Sequence, residues 1–487
     1  MSFPARVLAA TASIALLIPV CGFSPGPESP SVEQVPSADI IVTAAPVYQP
    51  LAALRGEERF PKGAQLLLVH EGKAEPLVPS FAASADANIS FDGKKVLFAG
   101  KQAATDPWQI WELTLANRSL RKLIAGPADA IRPFYLPAGR LVYALRTPQG
   151  FQLEAAGKDA SSLMAPVDAD AGSTVVPLSY MPGSAIPADV LLDGRILFEA
   201  GFPLGSGTTP ELYLVYSDGS GVESYRCDHA AARWGGKQLA SGDVVFTHGA
   251  SLARFTSPVA HEVSIAAPHA EYSGAIAEMA SGAWLVSARP APGTHYALKL
   301  WQPASPANSA TQSKAGPAAL QTVLAISGKD LVEPVVVAPR TRPHRHPSGL
   351  HDWSYANMMA LDARMSRAGD LKLTPAKVRL EMLDAAGHTV VTGTAPIEAD
   401  GSFFVQTPAD KPIRFALLDQ KGAVLRQEHG WFWIRRGEQR ICVGCHTGPE
   451  RASENHVPAV LLRTTTPINL TGVTGKGATA NASPRGN

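Results

Sequence analysis

Apolar residues in this chain fall into short runs separated by turns, and one phrase recurs: a small turn containing glycine, then an apolar strand. It stands at Asp92-Gly93-Lys94-Lys95-Val96-Leu97-Phe98, Ala138-Gly139-Arg140-Leu141-Val142-Tyr143, Asp193-Gly194-Arg195-Ile196-Leu197-Phe198, Ser241-Gly242-Asp243-Val244-Val245-Phe246 and Ser281-Gly282-Ala283-Trp284-Leu285-Val286, with fainter copies at Gly63 and Gly328. Successive glycines from Gly93 to Gly328 lie 46, 55, 48, 40 and 46 residues apart. A period in the forties corresponds to one four-stranded propeller blade per repeat. Between the phrases, pieces such as Gln109-Ile110-Trp111-Glu112-Leu113 and Glu211-Leu212-Tyr213-Leu214-Val215-Tyr216 alternate as the following strand of a blade should. The glycine supplies positive φ at a tight turn and a preceding Asp braces that turn, so these residues are structural. The pattern predicts a β-propeller of six or seven blades over residues 51–343.

After Pro343 the pattern changes. Residues 344–373 read as an interdomain segment. Short strands then follow at Val378-Arg379-Leu380-Glu381-Met382, Thr389-Val390-Val391, Ser402-Phe403-Phe404-Val405 and Arg414-Phe415-Ala416-Leu417-Leu418, joined by glycine turns at Gly387, Gly401 and Gly422. This spacing predicts a small β-sandwich-like domain over 374–465, making the fold class all-β. The Thr, Gly, Ala and Asn that dominate residues 466–487 predict a disordered tail.

The N-terminus adds a compartment. One basic charge precedes the apolar run at residues 7–20, which is short for a bilayer span and reads as a secretory signal over 1–21. Cys21 and the Pro/Ser-rich stretch behind it suggest a lipid anchor. Pro19 and Val20 stand where small residues usually precede a lipidated cysteine, so plain secretion remains the alternative. Residues 22–50 read as a linker. The expected location is periplasmic or otherwise extracytoplasmic, touching the membrane only through a lipid on Cys21. With 43 Lys+Arg against 42 Asp+Glu, the formal charge of +1 argues against a nucleic-acid partner. Four cysteines in 487 residues exclude a disulfide scaffold.

Two of those cysteines carry the chemistry. Ile441-Cys442-Val443-Gly444-Cys445-His446 contains Cys-x-x-Cys-His, the attachment pattern of c-type haem. Two thiols three positions apart reach the porphyrin vinyl groups, and the adjacent imidazole falls beneath the iron. Cys442 and Cys445 are thus the expected covalent sites of one haem c per chain, with His446 on the iron. A structural zinc held by Cys442, Cys445, His446 and His456 is the alternative, since the ligand types also suit zinc. A thioredoxin-like pair would want a βαβ context, which the all-β pattern does not offer. Trp431, Phe432 and Trp433 are candidates to wall the porphyrin, or else ordinary sandwich core. Arg435, Arg436 and Arg440 are candidates to pair with its propionates, or else a solvated face. Candidates for the sixth iron position are His456, His429, Met358, Met359, Met365, His344, His346 and His351. Cys227, in Arg226-Cys227-Asp228-His229, has no obvious disulfide partner and forms with His229 a candidate metal or haem-facing pair, or else it is a buried thiol.

The Asp-Gly-Lys/Arg turns at Asp92 and Asp193 resemble the TolB-like propeller repeat. Glu398-Ala399-Asp400-Gly401-Ser402-Phe403, Pro408-Ala409-Asp410, Leu418-Asp419-Gln420-Lys421-Gly422 and Gly437-Glu438-Gln439-Arg440-Ile441-Cys442-Val443-Gly444-Cys445-His446 resemble the middle domain of the hydrazine synthase alpha subunit family. The resemblance implies haem attachment at Cys442 and Cys445 and gives His446 the role of motif histidine. It also implies a propeller cysteine near a zinc, for which Cys227 is the candidate. The family's iron-ligating tyrosine, four residues past the motif histidine, is replaced by Glu450, so that ligation is not carried over. The chain ends 41 residues after His446 without the family's second haem motif, and hydrazine synthesis is not the expected activity. The expectation is an exported c-type haem redox protein acting on a small nitrogen or oxygen species, or passing electrons to a redox partner protein. If it is catalytic, it is a haem-dependent oxidoreductase. The alternative is a propeller-based binding or scaffold module with structural zinc.

Overall fold

Each of the five turn-strand phrases opens the second strand of an antiparallel sheet, because its glycine makes the tight reversal out of the leading strand. A computed structural model describes residues 38–157, 174–201, 210–225, 232–257, 261–303, 319–366, 371, 374–428, 430–444 and 453–472. Within these residues the first part of the chain forms six blades, five of four strands and one of five. Their leading strands are Asp330–Val336 (blade 1), Ala83–Ile89 (blade 2), Ala130–Leu136 (blade 3), Ala185–Val190 (blade 4), Arg233–Gln238 (blade 5) and the interrupted pair Glu271–Tyr272 and Ala277–Glu278 (blade 6). All six line a central channel.

Blade 1 closes the ring. Its order is Asp330–Val336, Ile40–Ala45, Gln65–His70 and Lys73–Pro76, so the last propeller strand pairs with the first. Ile40–Ala45 belongs to the propeller rather than to the linker expected over 22–50, and all six of its residues are buried. Gly63 and Gly328 do not open further blades. Gly63 ends an insertion ahead of Gln65–His70, and Gly328 turns the chain into Asp330–Val336.

The second domain pairs two four-stranded sheets. One runs Gln439–Cys442, Ala356–Ala360, Phe403–Thr407 and Ile468–Asn469; the other runs Thr389–Pro396, Lys377–Leu383, Ile413–Leu418 and Val424–Gln427. Val378, Leu380, Phe403, Val405, Phe415 and Ile434 fill the space between them. Two boundaries differ from the sequence expectation. Ala356–Ala360, inside the expected interdomain segment, is a sandwich strand, because buried Ala356, Met358 and Ala360 supply an inward face at every second position. Ile468 and Asn469, inside the expected disordered tail, pair with Val405 and Gln406. The described residues all lie in one compact unit spanning residues 35–487.

A single blade-4 turn grips the sandwich. Trp433 Nε1 donates to Gly219 O at 2.9 Å and Arg435 Nε to Asp218 O at 3.2 Å, while Glu438 Oε1 accepts the Gly221 amide at 3.1 Å. Arg440 Nη2 donates to Val222 O. The strand that leads to the cysteine motif is therefore seated on the propeller.

Candidate haem-attachment site

Gln439–Cys442 is an edge strand that runs parallel to Ala356–Ala360, with Cys442 opposite Ala360. Its pairing continues one step past the strand: Cys442 O accepts Leu361 N at 2.9 Å and Val443 O accepts Asp362 N at 3.1 Å. The 398–402 turn packs beside this loop, with Ala363 N donating to Gly401 O at 2.9 Å. Gly401 is required there. It has φ 85°, and a Cβ would stand 2.1 Å from Asp362 Oδ1. Asp362 cannot easily yield, since Arg364 Nε holds that oxygen at 2.8 Å.

The returning chain joins the same end of the sheet. Asp400 Oδ2 accepts the Ala459 amide at 2.7 Å and contacts His456 Nε2 at 3.1 Å. Burial opposes ionisation of Asp400, but bonds from the Ala459 amide, Ser402 and His456 hold its carboxyl well below the usual range. The sheet thus brings Cys442, Asp362, Asp400 and His456 to one end.

Cys442 is half-buried and free. Burial pushes its thiol up, and the adjacent Arg440 guanidinium pulls the other way. Arg440 lies over the Phe432 ring at 5.4 Å, and its Nη1 is buried without a hydrogen-bond acceptor. Burial likewise raises Glu438, whose Oε1 is 4.0 Å from Arg440 Nη1, beyond hydrogen-bonding range. The Cys442 thiol, which the Arg440 guanidinium already hydrogen-bonds, and the Arg440 N–H that lacks an acceptor are groups that would suit a porphyrin, Cys442 at a vinyl carbon and Arg440 at a propionate.

The other candidates divide. Trp433 is corrected from porphyrin wall to structural anchor. Its ring is fully enclosed among blade residues, with Tyr180 and Phe198 at centroid distances of 6.2 and 6.3 Å, and no face remains for a cofactor. Arg435 is buried on Asp410 at 2.9 Å. Trp431 is capped by Arg414 at 4.4 Å. Arg436 is exposed, with only its amide tied to Asp410 at 3.2 Å. Met358 and Met365 are buried, the former in the sandwich core. His351 stacks on Trp353 and contacts Gln439 at the opposite end of the strand from Cys442, while His346 stacks on Tyr216. Cys21, Cys227, His229, His429, Cys445, His446 and Glu450 lie outside the described residues. Arg440 nevertheless contacts Val222, only a few residues ahead of Cys227 in the chain. Neither that contact nor the tie between Asp400 and His456 is legible along the chain.

Fold and site together define an all-β propeller–sandwich protein whose Cys-x-x-Cys-His segment leaves a sandwich edge strand beside a propeller blade. More particularly, residues 373–447 match the family model described as hydrazine synthase alpha subunit middle domain, and the chain is hydrazine-synthase-alpha-like in architecture. The hydrazine synthase structure from Kuenenia stuttgartiensis superposes with a TM-score of 0.72 at 17% identity, covering 88% of this chain and 72% of that one. That likeness is one of fold. TolB from Acinetobacter baumannii gives a TM-score of 0.40 at 12% identity, covering 63% of this chain and 68% of that one. No curated protein matches the sequence.

Proposed function

We propose that this chain is an exported c-type haem protein, with one haem attached covalently at Cys442 and Cys445 and His446 on the iron. The observation that carries the proposal is the coincidence of motif and domain: the middle-domain match at 373–447 runs through the whole Cys-x-x-Cys-His segment. When bound, the haem would supply an iron that exchanges single electrons or holds a small ligand. The chain's own part is positional. Pairing with Leu361 and Asp362 fixes the direction in which Cys442 and Val443 leave the sheet, and Arg440 offers its free N–H to a propionate. The blade-4 turn, through Val222 and Gly221, keeps Arg440 and Glu438 in place, so the propeller sets the entry to the site.

Expression of the full chain in a host with c-type haem maturation tests this. Haem should remain on the polypeptide through denaturing electrophoresis, and Cys442→Ala together with Cys445→Ala should abolish it. Matured protein carrying one zinc and no haem would instead establish the zinc-scaffold reading. In the haem-loaded protein a high-spin spectrum would indicate an open iron position and small-molecule chemistry, whereas a low-spin spectrum would indicate electron transfer.

A further inference from the structure

The propeller channel has a floor. In three blades the leading strand bulges there around a charged residue with left-handed backbone: Asp86 (φ 62°), Arg132 (φ 54°) and Glu333 (φ 56°). Arg59 pairs with Asp86 and, at 2.7 Å, with Glu333; Arg132 reaches Glu333 at 2.7 Å and sends its amide to Asp86 Oδ2 at 3.0 Å. Burial raises Glu333, and Asp86 is hydrogen-bonded to it, so the groups of this network satisfy one another. Behind the floor, the insertion carrying Tyr48, Ala53 and Leu54 leaves only about 10 Å³, room for one water at most. In front of it the channel opens into a cavity of about 650 Å³, within the range of small-molecule sites.

One charged group on the cavity wall has no counterpart. Arg340 Nε donates to Ile89 O at 3.1 Å and Nη2 to Asn88 Oδ1 at 3.2 Å, and the guanidinium lies 4.5 Å over Phe91. Both acceptors are neutral, and Arg340 forms no ion pair among the described residues. Burial works against its charge, and Asp189 offsets this only in part. The two bonds occupy the Nε–Nη2 edge of the fork. Nη1 donates to nothing among the described residues and retains accessible surface, which leaves the Nη1–Nη2 edge to meet the two oxygens of a carboxylate.

The chain holds this side chain in place. Arg340 N donates to Phe91 O at 3.0 Å and His344 N to Leu192 O at 2.9 Å, so the segment between them is laid along the rim from blade 2 to blade 4. Gly93 and Gly194 make room for it, since a Cβ would stand 2.8 Å from Pro339 N and 2.2 Å from His344 O respectively. Exposed Arg342 lies over the same Phe91 ring at 5.7 Å and adds a second positive charge. Elsewhere on the wall Lys237 is matched by Asp189 at 2.8 Å, and Glu278 accepts the Ala240 amide at 2.7 Å. Much of the remaining lining is apolar: Ala87, Phe134, Leu192, Met279 and Val335 line the cavity and are only half-buried.

We propose that this cavity binds a small organic carboxylate, its head on Arg340 and an apolar body of several carbons against Ala87, Phe134, Leu192, Met279 and Val335. An uncharged head would leave the guanidinium unmatched, and a bare anion would leave the apolar wall in water. The site is independent of the haem reading, since no residue of the motif contributes to it.

Calorimetric titration of the full chain with benzoate and hexanoate tests the proposal. At least one should bind at one site per chain with a Kd below about 1 mM. Benzamide or hexanamide, which lack the charge, and acetate, which lacks the body, should each bind about tenfold or more weakly. Arg340→Met should weaken binding about tenfold or more, and Arg340→Lys, which keeps the charge and loses the fork, about threefold or more. Absence of binding by both carboxylates overturns the proposal, as does equal binding of the amide or of acetate, or binding that Arg340→Met leaves unchanged; equal acetate binding would reduce the cavity to a bare anion site. The ligand comparisons use the parent chain, so they decide the matter even where Arg340→Met perturbs folding.

Discussion

Burial lifts Glu154, on the Gly150–Gly157 strand of blade 3, from 4.5 to about 7, with Arg435 pulling modestly the other way. The sign of its pH effect follows. Between pH 4.5 and 7 the folded chain holds a proton that the unfolded chain has released, so this group's contribution to stability falls as pH rises through that window. The loss is on the order of 3 kcal/mol. Glu154→Gln should therefore melt higher than the parent at pH 8 and show little difference at pH 4, as read by thermal denaturation across pH; equal melting curves at pH 8 would contradict the assignment. A second residue-level case lies at the site itself. Gly401→Ala combines left-handed strain with a clash on Asp362, and should cost about 1–3 kcal/mol in chemical denaturation while reducing haem incorporation. Neither role was legible in the sequence, because each depends on what packs against the residue. Arg132-Pro133 and Glu333-Pro334 did carry a signal: a charged residue followed by proline inside an apolar strand marks a bulge.

Among the elements, strands announced by a turn or by clear alternation, such as Gln109–Thr114 and Glu211–Val215, were legible, and those with neither were not. The glycines at 93, 139, 194, 242 and 282 all take positive φ, as the repeated phrase predicts. Ile40–Ala45, Ala356–Ala360 and Ile468–Asn469 have no such phrase, and each was missed because its partner lies far along the chain. Ile40–Ala45 is nonetheless the closure of the ring. Val42→Asp would place an unpaired charge at a fully buried position of that strand, and should destabilise the propeller by roughly 3–5 kcal/mol in urea. Trp433 plays the corresponding part between the domains. Trp433→Ala should cost about 3–5 kcal/mol and expose the segment ahead of Cys442 to limited proteolysis; unchanged protection would mean that the blade-4 hydrogen bonds alone hold the sandwich in place.

At the scale of the whole molecule, the order of propeller, sandwich and cysteine motif could be read from the chain, because a repeat period and a Cys-x-x-Cys-His spacing are local properties. The arrangement around the motif could not. Arg440 meets Val222 across 218 residues of sequence, and Trp433 meets Gly219 across 214. These contacts make the propeller part of the candidate site rather than a neighbour of it. They also explain why an edge strand, ordinarily a weak platform, can present Cys442 in a fixed direction. The central claim is covalent haem at that strand end, and the intact mass of the full chain after c-type haem maturation tests it most directly. The mass should increase by one haem per chain, mapped by peptide analysis to Cys442 and Cys445. Fully matured protein with both thiols unmodified would contradict it.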